Sequence, residues 1–101
     1  MGISTTAVFD TNIIIDALKG VDAAHITYTP YETVYISLIT WIEVMVGANN
    51  EQDTREFLEK AFIILPITSK IAECAIKIKK EKRIKLPDAI IWATAITQDT
   101  I

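Results

Sequence analysis

Three short apolar segments, separated by helical patterns, constrain the fold of this chain most strongly. They span residues 5–9, 33–39 and 62–67, and they carry the β-branched and aromatic residues typical of buried parallel strands. No hairpin signal joins any two of them, so each return to the sheet requires a right-handed helical crossover. The sequence therefore predicts an α/β fold with a parallel sheet covered by helices.

Helical periodicity fills the intervals between these segments. The predicted helices span residues 11–19, 40–47, 51–61, 69–80 and 87–97. Two of them carry an apolar stripe for a core, formed by Thr54, Phe57, Leu58 and Ala61 in one and by Ile71, Cys74, Ala75 and Ile78 in the other. The last helix is apolar nearly all round, so we expect it to be packed on most sides.

Local signals also mark where helices begin and where regular structure stops. Ser69 is a suitable N-cap, and Pro87 suits the first residue of the last helix. Residues 21–32 show no clear period and are predicted to be irregular. They contain the single histidine, His25, which we expect to be an ordinary surface residue.

The length and composition limit the class of protein. At 101 residues the chain is predicted to form one domain, residues 1–101, and no apolar run approaches the ~20 residues that cross a bilayer. The N-terminal residues lack the basic and apolar pattern of a secretory signal, so we expect a cytoplasmic protein with no membrane partner. Cys74 lies in an apolar helical stripe and is predicted to be a buried thiol with no internal disulfide partner.

Three acidic residues fall where this fold would bring them together. Asp10 ends the first strand, Glu43 follows the second strand, and Asp88 opens the last helix. Parallel sheets covered by helices bind ligands at the carboxyl edge of their strands. Two carboxylates ~4 Å apart repel by about 4 kcal/mol at an effective dielectric near 20, so such a group must be protonated or hold a cation. Mg²⁺ and Mn²⁺ prefer these oxygen ligands and can promote phosphodiester cleavage, while Asn12 could orient a water or a phosphate.

Each of these acids also has a purely structural explanation. Asp10 could cap the helix that follows it. Glu43 could complete a T-x-x-E capping box by reaching back to the amide of Thr40. Asp88 suits the positive end of its helix dipole. Asp16 has no place at the sheet edge and is predicted to be a partly exposed helix residue outside the metal set.

Basic residues are concentrated directly before Asp88. The net charge of −3 argues against broad attraction to nucleic acid. Yet six of the ten basic residues lie within nine positions, opposed only by Glu81; they are Lys77, Lys79, Lys80, Lys82, Arg83 and Lys85. This run is either a solvated helix end whose cations suit the C-terminal dipole or a contact for a phosphate backbone beside the acidic site.

Three segments resemble, in order and spacing, the signature segments of PIN-domain ribonucleases, and most closely those of VapC-type toxins from toxin–antitoxin pairs. The segments are DTNIIIDALKG, SLITWIEV and RIKLPDAIIWATA, and the resemblance extends over nearly the whole chain. It implies a three-layer α/β/α sandwich with a central parallel sheet. It also implies an endoribonuclease that depends on Mg²⁺ or Mn²⁺ and acts on tRNA, mRNA or rRNA.

The resemblance assigns roles residue by residue. Asp10, Glu43 and Asp88 would be metal ligands, and Asn12 would complete the catalytic set. Asn12 and Ser37 or Thr40 would support the site. Together with the basic run, this gives a set of residues expected to contact the substrate, namely Thr11, Ser37, Thr40, Lys82, Arg83 and Lys85. The resemblance further implies a homodimer, and an antitoxin that wraps the toxin and blocks the acidic pocket.

The end of the chain departs from the family pattern. Family members usually continue after the last helix into a strand of the form L-V-T-x-N-x-x-D-F, which supplies a fourth acid. This sequence stops at QDTI, where that strand would begin, so we expect the last strand to be missing and a second metal to be held poorly. Asp99 cannot replace the fourth acid, because eleven helical residues would carry it ~16 Å along the axis from Asp88.

Two other functions compete with the nuclease. A chain of the same fold could be catalytically weak or inactive and bind only an antitoxin or RNA. A phosphotransfer protein on a similar sheet is the third hypothesis, but a haloacid-dehalogenase-like phosphatase needs D-x-D where this chain has Asp10-Thr11-Asn12. A response-regulator receiver needs an acidic pair and a later lysine at a strand end, and neither pattern is present.

Overall fold

Three parallel strands form the sheet at the centre of the fold. The computed structural model describes residues 6–19 and 33–99. Within them β1 (Thr6–Val8), β2 (Thr33–Ser37) and β3 (Ile63–Leu65) form one sheet in the order β1-β2-β3. Both neighbouring pairs are parallel, with Ala7 opposite Val34 and Ile36 opposite Ile64. The predicted α/β fold with a parallel sheet is confirmed.

Five helices connect and cover these strands in the described part of the chain. They are α1 (Thr11–Leu18), α2 (Leu38–Val46), α3 (Glu51–Ala61), α4 (Ser69–Glu81) and α5 (Leu86–Asp99). Each corresponds to a predicted helix. None of them has the length and apolar character needed to cross a membrane. The segment 21–32 with His25, which the sequence predicts to be irregular, lies outside the described residues.

The boundary between β2 and α2 differs from the prediction. The strand ends at Ser37, and the helix begins at Leu38 rather than at Thr40. Ser37 is the N-cap, because its Oγ accepts a hydrogen bond of 3.2 Å from the amide of Ile39. The capping box predicted for Thr40 and Glu43 is therefore wrong, since an earlier hydroxyl already caps the helix and Thr40 lies inside its first turn.

Two further helix starts shift by one residue. Thr68, not Ser69, is the N-cap of α4, and its Oγ1 accepts a hydrogen bond of 3.2 Å from the amide of Ile71. Pro87 is the second residue of α5 rather than the first. A proline is tolerated at either position, because the amides of the first helical turn have no partner within the helix.

The larger core lies between the sheet and the first three helices. Its fully or nearly buried members are Ile14, Ala17, Val34, Ile36, Val44, Leu58 and Phe62. Phe62 also contacts the ring of Phe57 edge-on, with the ring centroids 5.8 Å apart. The predicted stripe on α3 is confirmed at Thr54 and Leu58, which are buried. It is wrong at Ala61, which is exposed at the last residue of that helix.

The second core joins α4 to α5. Ile71 and Ala75 of α4 are buried against Ala89 and Ala93 of α5, and three of these four side chains are alanines, which allow the helices to approach closely. Half-buried neighbours, including Cys74 and Ile78, complete the predicted stripe, and Cys74 is a free thiol that is less buried than predicted. The expectation that α5 is packed on most sides is wrong, because Leu86, Trp92 and Ile96 are between 40% and 55% exposed.

Candidate functional site

An open cleft of about 500 Å³ lies where the carboxyl end of β1 meets α1, α2 and the start of α5. Its polar lining is formed by Asp10, Thr11, Asn12, Glu43, Lys85 and Asp88, and its apolar lining by Ile15, Ile42, Val46 and Pro87. The three acids singled out in the sequence therefore share one cleft, although they come from three separate segments of the chain.

Asp10 is fixed by the backbone on both sides. The amide of Phe9, directly before it, donates a 3.0 Å hydrogen bond to the carbonyl of Tyr35 in β2. Directly after it α1 begins, and Oδ1 of Asp10 accepts a 3.0 Å hydrogen bond from the amide of Ile13. Asp10 is thus the N-cap that its structural explanation predicts. The same exposed carboxylate also lines the cleft, so capping the helix and binding a ligand are compatible roles.

Glu43 is held by a side chain from another helix. It projects from α2, is half-buried, and its Oε1 lies 2.7 Å from Oγ1 of Thr11, which donates the hydrogen bond. Oγ1 of Thr11 also lies 3.2 Å from Oγ1 of Thr40. No sequence pattern indicated the bond between Thr11 and Glu43, because the two residues are 32 positions apart and belong to different elements.

Ser37 and Thr40 lie beneath the cleft rather than in it. Both are fully buried, and neither is part of the cleft lining. Neither side chain has exposed surface, so direct contact with a substrate would require the surrounding residues to move. Ser37 caps α2, and the hydroxyl of Thr40 contacts the hydroxyl of Thr11, which does line the cleft.

The third acid, Asp88, is exposed in the first turn of α5. Lys85, the residue directly before that helix, lines the same cleft. Lys85 is the one cation among the described residues that line the cleft. Lys82 and Arg83 lie outside the cleft, in an adjoining open hollow of about 530 Å³ that also includes Lys85. Asp16, which the sequence predicts to be partly exposed, is exposed and is not part of the cleft lining.

The donor atoms of the cleft suit a hard divalent cation in chemistry but are not gathered around one point. Three carboxylates and the carboxamide of Asn12 offer oxygen ligands of the kind that Mg²⁺ and Mn²⁺ prefer. Across residues 6–19 and 33–99, no three His, Cys, Asp or Glu side chains form a group that could hold a metal ion as they stand. Binding an ion would therefore require the carboxylates to move toward one another, against their mutual repulsion.

The cleft also has an apolar side that the sequence did not reveal. Ile42 and Val46 flank Glu43 on α2 and are 41% and 83% exposed. The strand and helix periods mark residues that face the core, and they give no signal for apolar residues left at the surface.

The sequence and the fold of this chain are similar to those of known proteins. The family model described as the PIN domain matches residues 7–101. A chain of a toxin–antitoxin complex from Klebsiella pneumoniae is similar at 46% sequence identity, with 91% of this chain and 79% of that chain covered and a TM-score of 0.82. A chain of VapBC2 from Rickettsia felis, in a structure bound to a DNA fragment from the promoter, shares the fold at 17% sequence identity. The match covers 93% of this chain and 82% of that chain, with a TM-score of 0.71. The curated proteins gave no sequence match.

Proposed function

Because the chain belongs to the PIN-domain family, we propose that it is a VapC-type toxin that hydrolyses RNA phosphodiester bonds with the help of Mg²⁺ or Mn²⁺. The observation that carries the proposal is the single cleft lined by Asp10, Glu43 and Asp88. The similar chain from a toxin–antitoxin complex supports the toxin assignment.

The side chains of the cleft have separate roles in this proposal. Asp10, Glu43 and Asp88 would hold the divalent ion, which supplies positive charge to the phosphate and lowers the pKa of an attacking water. Without a cation these acids repel the RNA backbone, so metal binding and substrate binding are linked. The ammonium of Lys85 offsets part of the negative charge at the rim. The amide of Asn12 can donate a hydrogen bond to a phosphate oxygen or to a water.

The RNA-binding surface is proposed to extend from the cleft into the adjoining basic hollow. Lys85 lines both cavities, and Lys82 and Arg83 line the hollow. A phosphate backbone could therefore pass from the acids to a row of cations without leaving the protein surface. Neutralising phosphates with lysine and arginine supplies most of the sequence-independent affinity for nucleic acid.

A protein partner is the other proposed ligand of the cleft. Ile42 and Val46 place exposed apolar surface beside the acids, which suits an antitoxin segment with apolar side chains and one basic side chain. We also propose a homodimer, since Leu86, Trp92 and Ile96 leave apolar surface on α5. Light scattering of the purified chain tests the dimer, and a mass of 11.3 kDa at micromolar concentration would contradict it. We place the protein in the cytoplasm with its RNA substrates.

Asp10→Asn provides the sharpest test of catalysis. The amide oxygen of asparagine can still accept the bond from Ile13, so the helix cap is kept while the negative charge is lost. With Mn²⁺ or Mg²⁺ and a structured RNA, the unaltered protein should cleave and EDTA should stop cleavage. The variant should be slower by about 100-fold or more, as expected when a charged group that helps to hold the transition-state-stabilising ion is removed.

Asp16→Asn is the matched control, because Asp16 is an exposed acid of the same helix outside the cleft. It should cleave like the unaltered protein. Equal cleavage by Asp10→Asn would contradict the catalytic assignment. An unaltered protein that binds an antitoxin but shows neither cleavage nor stabilisation by Mn²⁺ would favour the binding-module alternative.

A further inference from the structure

The hydroxyls of two threonines connect the buried interior to the carboxylate of Glu43 through consecutive hydrogen bonds. Oγ1 of Thr40 is fully buried and lies 3.2 Å from Oγ1 of Thr11. Oγ1 of Thr11 in turn lies 2.7 Å from Oε1 of Glu43. The three residues come from two helices, since Thr11 opens α1 and the other two belong to α2.

The chemistry of the groups fixes the direction of these bonds. A hydroxyl has a single proton, and a carboxylate can only accept. The proton of Thr11 therefore goes to Glu43 across the shorter contact, and the proton of Thr40 goes to the oxygen of Thr11. The hydroxyl of Thr11 then donates one hydrogen bond and accepts one, and the hydroxyl of Thr40 donates one. In such a chain, neighbouring hydrogen bonds strengthen one another.

The position of Thr40 is set by the helix cap before it. Because Ser37 supplies the N-cap hydroxyl, the hydroxyl of Thr40 is not needed for the first turn of α2. Thr40 lies three residues before Glu43, so the two side chains share one face of the helix. Thr94 shows the more usual use of a buried helical threonine, since its Oγ1 donates to the carbonyl of Ile90 one turn earlier.

We infer that Thr40 and Thr11 form a hydroxyl relay that positions Glu43 through Oε1, so that Glu43 offers its other oxygen to a divalent ion in the cleft. This inference rests on the proposed function. Asp10 is held in a comparable way, with Oδ1 bonded to the amide of Ile13. Both acids are thus restrained through one oxygen before an ion binds. The movement toward one another that binding requires therefore starts from fewer side-chain orientations, and less side-chain freedom is given up.

Mn²⁺ affinity, measured by titration calorimetry on the full chain without RNA, tests the relay. Thr40→Val keeps the size and shape of the side chain and removes the hydroxyl. It should weaken Mn²⁺ binding by about 10-fold, the lower end of the effect of removing a group that orients a metal ligand. Thr11→Val should weaken it at least as much. Thr40→Ser and Thr11→Ser keep the hydroxyls and should restore most of the affinity.

Thr94→Val is the matched control, because Thr94 is also a buried threonine but bonds within its own helix, away from the cleft. It should bind Mn²⁺ like the unaltered protein. Urea unfolding of every variant confirms that the metal is offered a folded chain, and Thr11→Val, at a half-buried position, provides a second variant if Thr40→Val does not fold.

The outcomes separate the relay from the function beneath it. If the unaltered protein binds Mn²⁺ and Asp10→Asn does not, while both valine variants bind as tightly as the unaltered protein, the relay is overturned and the metal site stands. Serine variants as weak as the valine variants would also overturn it, since the hydroxyl would then not be the active group. If the unaltered protein does not bind Mn²⁺, the proposed metal site fails and the relay fails with it.

Discussion

At the scale of single residues, the carboxylate of Asp10 both caps a helix and lines the cleft. The structural and functional explanations of this residue are therefore not exclusive. The sequence alone presented them as alternatives because a capping aspartate and a ligand aspartate occupy the same position, directly after a strand and before a helix.

Comparing Asp10→Ala with Asp10→Asn separates the contribution of the helix cap from that of the negative charge. Alanine removes both the cap and the charge, so it should lower the free energy of unfolding by about 1 kcal/mol. Asparagine should leave the free energy of unfolding nearly unchanged, because it caps helices about as well as aspartate. Urea denaturation measures both values. Equal destabilisation by the two variants would show that the hydrogen bond to Ile13 does not stabilise the helix.

At the scale of elements, the first residue of a helix depends on which polar side chain accepts hydrogen bonds from the unpaired backbone amides of the first turn. Four helices of the described part of the chain use the residue directly before their first turn, namely Asp10, Ser37, Asn50 and Thr68. Near two of these starts the sequence offers more than one candidate, as with Thr68 and Ser69. The backbone conformation of the connecting segment decides between them.

Thr68→Ala and Ser69→Ala test this choice directly. The bond from the amide of Ile71 to Thr68 predicts that Thr68→Ala lowers the free energy of unfolding by about 1 kcal/mol. Ser69→Ala should change it by no more than about 0.5 kcal/mol, as is usual for exposed positions without a special role. Thermal or urea unfolding gives both values, and a larger loss at Ser69 would move the cap to that residue.

The contact between α4 and α5 depends on small side chains. Ala93 is fully buried there, so Ala93→Leu should force the helices apart and lower the free energy of unfolding by about 1 to 3 kcal/mol. Ala61→Leu adds the same atoms at an exposed helix end and should have an effect of about 0.5 kcal/mol or less. Similar urea midpoints for the two variants would contradict close packing at Ala93.

At the scale of the whole molecule, opposite charges are separated between two adjoining cavities. Three acids line the cleft, whereas five cations and only one acid, Glu81, are among the described residues that line the hollow; Lys85 belongs to both. The net charge of −3 does not indicate this separation, because it is a sum over the whole sequence. The proposed RNA path depends on this separation, since the cations would bind phosphates while the acids would bind the ion.

The salt dependence of RNA binding should report on the hollow. Replacing Lys82 and Arg83 together by glutamine should weaken binding and reduce the slope of log affinity against log salt, by about 0.7 for each phosphate of single-stranded RNA that is no longer neutralised. Lys60 and Lys70 are exposed lysines outside both cavities, and their joint replacement by glutamine is the control. Fluorescence anisotropy with the Asp10→Asn protein avoids cleavage during the measurement. An unchanged slope for the Lys82 and Arg83 variant would contradict the RNA path.

The sequence by itself determined the order of strands and helices, the parallel sheet and the three acids at its edge. The order of elements along the chain follows from the hydrophobic periodicity of each segment. The parallel sheet follows because no hairpin turn joins the strands. The shared position of the acids follows because the carboxyl ends of parallel strands lie at one edge of the sheet. All three are local or topological properties, so they can be recognised before the packing of the helices is known.

Only the tertiary structure decided how these parts meet. It placed Thr11 against Glu43, buried Thr40 beneath them, and left Val46 and Trp92 at the surface. The physical reason is that such contacts depend on the angle and distance at which separate helices pack. Those quantities are set by the whole core at once, and no local pattern in the sequence records them.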